Sequence, residues 1–193
     1  MGLLLIIPNI FTRLIHLFTS VNRRFSFIIV FILLAGFAIY AYLGGFNKVQ
    51  VIRTTSRPVF IAGRYFEGSM KDKTLGTYFQ ETAKLLEEKK ITGYLGNIYY
   101  NNPEEAHDSI RALIGVVVPD SLAPLPAGFE LRKWPGSKPV VQATVNAHFF
   151  LAPNKLYSKL FDYAKQNKLN LKKQYLEEFP DARYGRVQAQ LAD

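Results

Sequence analysis

Residues 25–46 read FSFIIVFILLAGFAIYAYLGGF and carry no formal charge. At about 1.5 Å of rise per residue, such a run crosses a hydrocarbon core of roughly 30 Å. A buried core helix of this length would carry some polar residues, and a cleavable signal peptide would be shorter and nearer the start. The run therefore predicts one transmembrane helix that ties the rest of the chain to a bilayer. Arg23 and Arg24 bound it on one side, Asn47 and Lys48 on the other. Tyr40, Tyr42 and Phe46 stand where an interfacial aromatic belt would lie. Arg13, Arg23 and Arg24 precede the span, and Lys48, Arg53 and Arg57 come closely after it, so the positive-inside rule assigns no orientation.

The segment before the span is patterned as well. From Asn9 to Arg24 the apolar residues Ile10, Phe11, Leu14, Ile15, Leu17, Phe18 and Val21 recur at helical spacing. Asn9, Thr12, Arg13, His16, Thr19, Ser20 and Arg23 fill the other face, and Pro8 stands where a helix would start. Residues 1–24 therefore read either as an amphipathic interfacial helix or as a lead-in packed on neighbouring helices.

Residues 47–193, beyond the span, have the size of one ordinary domain. No Asp or Glu precedes residue 47, so this part holds all 15 acids. Of the 24 Lys and Arg it lacks only the three named arginines, which leaves it a formal charge of +6. That suits an anionic lipid surface or an acidic partner protein. The cations form no groove-like run, so nucleic acid is not expected. The absence of Cys removes disulfides, thiol chemistry and Cys-based metal sites. No Asn-x-Ser/Thr acceptor occurs, and nothing favours exposure to the secretory lumen.

An internal repeat organises the domain. Residues 49–66 and 129–150 each read as two strands joined by a short turn into a hairpin, and Pro58 and Pro139 introduce the second strands. A helix comes after each hairpin, over 75–89 and 154–166, with Leu75, Tyr78, Leu85, Leu156, Leu160 and Phe161 on the apolar faces. Two more strands come after each helix: 95–100 and 112–118 around the Asn102-Pro103 turn, then 174–179 and 186–191 around Pro180-Asp181. The expected fold is α+β. It has one N-terminal transmembrane helix (25–46) and a duplicated ββαββ domain (47–193) whose halves, 47–118 and 128–193, are joined by a linker over 119–127. Antiparallel sheet, two helices on one side and a pseudo-two-fold axis are expected, with a cleft where the halves meet.

The residues Ile98-Tyr99-Tyr100-Asn101-Asn102-Pro103 resemble the YYDNP signature of GyrI-like domains, which are related to the SOUL haem-binding proteins. Arg111 and Gly115 are similar to that family's R-x-x-x-G strand, and Leu176-Glu177-Glu178-Phe179 to its L-E-x-Y element, with Phe179 in place of Tyr. The resemblance covers about residues 49–193. It implies a small-molecule-binding module of the kind found in bacterial regulators, in a gyrase inhibitor and in a few hydrolases of strained rings. One animal member carries the domain behind a single membrane helix and serves as a selective-autophagy receptor of the endoplasmic reticulum. That receptor uses a long acidic tail, whereas the present sequence runs to Asp193 directly after its last strand, which sets the expectation against the autophagy role. Tyr184-Gly185-Arg186-Val187 fits a loose aromatic-x-x-aliphatic motif but enters a strand and reads as core.

The repeat also points to a site. Aligning Pro103 with Pro180 puts Tyr100 opposite Glu177, at the position where the family carries a Glu in its central cleft. A carboxylate buried there would have its charged form disfavoured and could act as acid, base or hydrogen-bond partner. Alternatively Glu177 faces solvent and pairs with Lys173. The candidate ligand-binding cleft is Tyr65, Tyr100, Trp134 and Glu177, although a plain core aromatic is the favoured reading of Trp134. His16, His107 and His148 are scattered, so no metal and no cofactor is expected. There is no phosphate-binding Gly loop and no nucleophile elbow. With Phe179 removing a hydroxyl beside Glu177, no catalysis is expected. The expectation is a non-catalytic, single-pass membrane-anchored binding or scaffold domain. Membrane lipid, other membrane protein subunits and a small apolar ligand are its expected partners, in the mitochondrial inner membrane or the endoplasmic reticulum. The alternatives are an autophagy receptor or membrane adaptor, and a small-molecule binder or hydrolase using Glu177.

Overall fold

The computed structural model describes residues 23–105 and 109–192. The amphipathic segment ahead of the span, with His16, and His107 lie outside the described residues. The chain divides into two compact units, residues up to Tyr42 and residues from Leu43 onward.

The first unit's described part is the helix α1 (Arg23–Tyr42). Its window Phe25–Tyr42 is long and apolar enough to cross a membrane, and none of that window is buried. The helix stops at Tyr42, four residues short of the apolar run, because the chain turns over 43–46, where Gly44 takes φ +79°.

The second unit contains β1 (Gln50–Thr55), β2 (Val59–Gly68), α2 (Lys73–Glu87), β3 (Tyr94–Tyr99), β4 (Ile110–Val118), β5 (Glu130–Trp134), β6 (Pro139–Val145), α3 (Ala152–Gln166), β7 (Leu171–Asp181) and β8 (Tyr184–Leu191). It is α+β, with one eight-stranded antiparallel sheet in the order β1-β6-β8-β7-β3-β4-β2-β5. Asp72 caps α2, its side chain accepting from the Thr74 amide at 2.8 Å. Pro153 stands in the first turn of α3, where its missing N–H costs nothing. Leu75 and Tyr78 of α2 and Leu156, Tyr157 and Leu160 of α3 join one apolar cluster with Ile114, Val187 and Ala189, so both helices cover the same face.

The expected hairpins do not form. β1 pairs with β6 and β5 pairs with β2, so the first strand of each half joins the other half. Six strand steps separate β1 from β2 in the sheet, about 29 Å if it were flat. Residues 56–58 must close that gap, and four residue steps reach only about 14 Å. The sheet can satisfy both only by curling until its margins meet. Buried Ser56 fastens the meeting point: its amide and hydroxyl donate to the carbonyls of Lys138 and Pro135, and its carbonyl accepts from the Ser137 amide. Local turn residues are the same for a hairpin and for this exchange, which is why the sequence pattern did not separate them.

Glycines make the curl possible. Gly63, Gly115 and Gly96 pair in one row across β2, β4 and β3. A Cβ at Gly115 would lie 2.1 Å from the Ala62 carbonyl oxygen. The helix-free face turns inward and holds a core of its own: Val59, Ile61, Ile98, Leu113, Val117, Trp134 and Leu176.

Candidate functional site

Strand alternation decides which side chains meet. Asn97 on β3 pairs directly with Glu177 on β7, and the same row carries Ile114 and Val187, which face the helices. Glu177 is therefore buried beneath the helices, 3% exposed, and does not face solvent toward Lys173. Asn97 Nδ2 donates to Glu177 Oε2 at 3.2 Å, while Asn97 Oδ1 accepts from the Gly115 amide at 3.3 Å. Burial pushes the Glu177 carboxyl up to about 7, against the pull of the polar groups of Asn97, Tyr157 and Tyr99. The same carboxylate, after burial, raises the hydroxyls of Tyr99 and Tyr157 well above the ordinary tyrosine value.

Aromatic rings enclose this centre. Tyr99 pairs directly with Tyr175 across the two central strands. Tyr157 and Phe161 of α3 both meet Tyr175 edge-on at 5.7 Å between centroids. The Tyr157 hydroxyl is buried beside the Glu177 carboxyl but forms no well-aligned hydrogen bond among the described residues. No described cation forms an ion pair with Glu177; the described ion pairs lie elsewhere.

The other three expected cleft residues lie on the opposite face. Tyr65 and Tyr100 meet at 6.0 Å between centroids and line an open groove of about 400 Å³ with Ile98, Arg111, Arg132 and Gln174. Tyr65 Oη donates to Glu67 Oε2 at 2.8 Å. Trp134 is fully buried in the core of the helix-free face. The structure thus brings Tyr65 and Tyr100 together and sets Glu177 apart from them. The partner of Glu177 across the central strands is Asn97, not Tyr100. Pro180 lies within β7 and the chain turns at 182–183, with an irregularity in register between Glu178 and Asp181. Counting from Pro180 as a turn residue misplaced the register, and an odd shift moves a side chain to the other face.

Asn97, Tyr99 and Tyr157 escaped the sequence reading. Asn97 left one signal, an amide inside the otherwise apolar strand YLGNIY. Among the described residues no cluster of three or more His, Asp or Glu could hold a metal ion.

Known structures share this architecture. An integron cassette protein from the mobile metagenome of Vibrio cholerae matches with a TM-score of 0.55 at 13% identity, over 76% of this chain and 99% of that one. The C-terminal domain of EcmrR matches at 0.54 and 10%, over 75% and 98%. SAV2435, solved bound to tetraphenylphosphonium, matches at 0.51 and 8%, over 74% and 94%. The domain shares its fold with these proteins. At these identities the likeness is one of fold alone. Neither a protein-family model nor a curated protein sequence matches the chain. The segments that resemble the GyrI-like signature fall at the end of β3 and just beyond it, on β4, and on β7; β3 and β7 are the two central strands and carry Asn97 and Glu177.

Proposed function

We propose that the protein is a membrane-anchored, non-catalytic binding domain that recognises a small, apolar, cationic ligand between α2 and α3, above Glu177. One observation carries the reading: a carboxyl buried under both helices, enclosed by tyrosines, has no described cation to neutralise it. An isolated buried charge is costly, so such a group stays protonated until something positive arrives. A flat or lipophilic cation would supply the charge and stack on Tyr99, Tyr157 and Tyr175. The fold neighbour solved with tetraphenylphosphonium supports the chemistry of the probe.

We also infer that the domain is two ββαββ units related by a pseudo-two-fold between β3 and β7. Supporting this, the strand order is unchanged when it is read from the other end with each strand exchanged for its counterpart four strands away. On that reading Asn97 and Glu177 stand at the axis, one carboxylate serving both halves. Assembly with other membrane subunits, in the mitochondrial inner membrane or the endoplasmic reticulum, belongs to the same reading and rests on the layout of one apolar helix before one domain.

Calorimetric titration of the full chain in mild detergent with tetraphenylphosphonium tests the proposal. Affinity should rise between pH 6 and pH 8 as Glu177 ionises, and Glu177→Gln should weaken binding by about tenfold or more, the size of one contact to a charged group. No binding by the wild type, or equal binding by the variant, would sink it.

A further inference from the structure

The domain fastens its first residues, those directly after α1, onto one of its own corners. The carbonyl of Leu43, one residue past the helix, accepts from the His148 amide at 2.9 Å. Asn47 Nδ2 donates to the Asn146 carbonyl, and Lys155 Nζ donates to the carbonyls of Gly44 and Gly45. Gly44 is pressed so close that a Cβ there would lie 2.5 Å from the Asn146 oxygen. The loop 146–151 and the start of α3 are therefore held by residues 43–47, which directly follow α1 in the chain.

That loop exposes an aromatic group. Phe150 is 76% exposed, the most exposed aromatic described in this unit, and its ring stacks with His148 and lies 4.4 Å from that of Phe149. Phe46, three residues past Leu43, is exposed as well. The Phe149 amide donates to the Ala182 carbonyl, which adds the 181–183 turn to the corner. Lys48 and Arg183 are exposed cations there, and the one acid, Asp181, already accepts from the Arg183 amide. Exposed aromatics on segments that also carry exposed cations, next in the chain to an apolar helix, match the headgroup layer of a bilayer in both polarity and charge.

We propose that this corner, residues 43–48, 146–155 and 181–183, rests in the interface of an anionic bilayer with Phe150 inserted among the headgroups. The proposal rests on α1 crossing that membrane, and it makes the domain a surface-docked body rather than a freely swinging one. The test uses the full chain in vesicles of phosphatidylcholine and phosphatidylglycerol, with and without brominated acyl chains. In Phe150→Trp the added emission should shift to the blue and lose more than about half its intensity to bromine, as an aromatic at interfacial depth would. Trp134, buried in the curled sheet, supplies the unquenched baseline. Leu122→Trp, at a position 89% exposed on the linker, should keep its added emission. Alkaline carbonate extraction of the same vesicles reports on α1 separately. A retained chain with an unquenched Phe150→Trp overturns the docking and leaves the anchor standing. Equal quenching in Leu122→Trp also overturns it, since contact would not be confined to this corner. A chain released by carbonate overturns docking and anchor together.

Discussion

Glu177 and Glu178 are neighbours on β7, both buried, and their environments drive them in opposite directions. Alternation sends Glu177 to the helix face and Glu178 to the inside of the curl. Burial pushes Glu178 up as it does Glu177, but there the arginines win. Arg186 donates to both Glu178 oxygens, at 2.7 and 2.6 Å, while Tyr94 Oη and Arg57 Nη2 donate to Oε1 at 2.8 and 3.2 Å. The result is a carboxyl below its ordinary range on one face and one at about 7 on the other. Depth is the same for both; the partner decides. A buried carboxyl beside a counter-charge stays ionised, and one without holds its proton to higher pH.

The largest effect should come from removing the satisfied charge. Glu178→Gln leaves Arg186, itself mostly buried, without a counter-charge. Breaking a buried pair from one side costs about 3–5 kcal/mol. Urea unfolding of the full chain in mild detergent, followed by the emission of Trp134, should show a loss of that size at pH 7. A loss under about 1 kcal/mol would mean that the cluster is solvated, and the contrast with Glu177 would fail.

Glu177 should behave in the opposite sense. Its folded value, about 7, lies above the ordinary carboxylate value, so the native state holds its proton more tightly than the unfolded chain. The associated stability is complete below the unfolded value and is lost as pH rises toward 7. Glu178, with its depressed folded value, contributes stability above the ordinary range that is lost as pH falls. Glu177→Gln should therefore raise stability at pH 8, by an amount on the order of 3 kcal/mol, and flatten the slope between pH 5 and pH 7. A variant no more stable than wild type at pH 8, or an unchanged slope, would show that the carboxyl is not held in a neutral state.

Much of the fold was legible because periodicity survives packing. The helices begin within two residues of their expected starts and the apolar stripe of α3 is the one that packs, Leu156 and Leu160 being fully buried. What stayed hidden depends on partners remote in sequence. Ser56 looks like any turn residue until Lys138 and Pro135 arrive beside it. Gly115 reads as part of a motif, and its physical need appears only when Gly63 lies across from it. Glu177 stood out in the sequence through its resemblance to a family position. Its neighbours were hidden, because Pro180 extends β7 instead of ending it and the expected register was three residues out, which puts side chains on the wrong face.

The smallest effect should come from Arg57, and its smallness sharpens the comparison. Arg57 reaches Glu178 from the three-residue connection that closes the curl, but its side chain is 58% exposed. Water screens that charge, and exposed pairs contribute about 0–1 kcal/mol. Arg57→Ala should cost less than about 1 kcal/mol in the same urea assay, because Glu178 keeps the paired contacts of Arg186 and the hydroxyl of Tyr94. The Glu178 carboxyl would remain depressed, so stability should still fall on acidification along the wild-type curve. If Arg57→Ala instead matched the loss seen for Glu178→Gln, the connection would be holding the margins of the sheet together through this contact. Closure of the curl would then rest on Arg57 rather than on Ser56 and the glycine row.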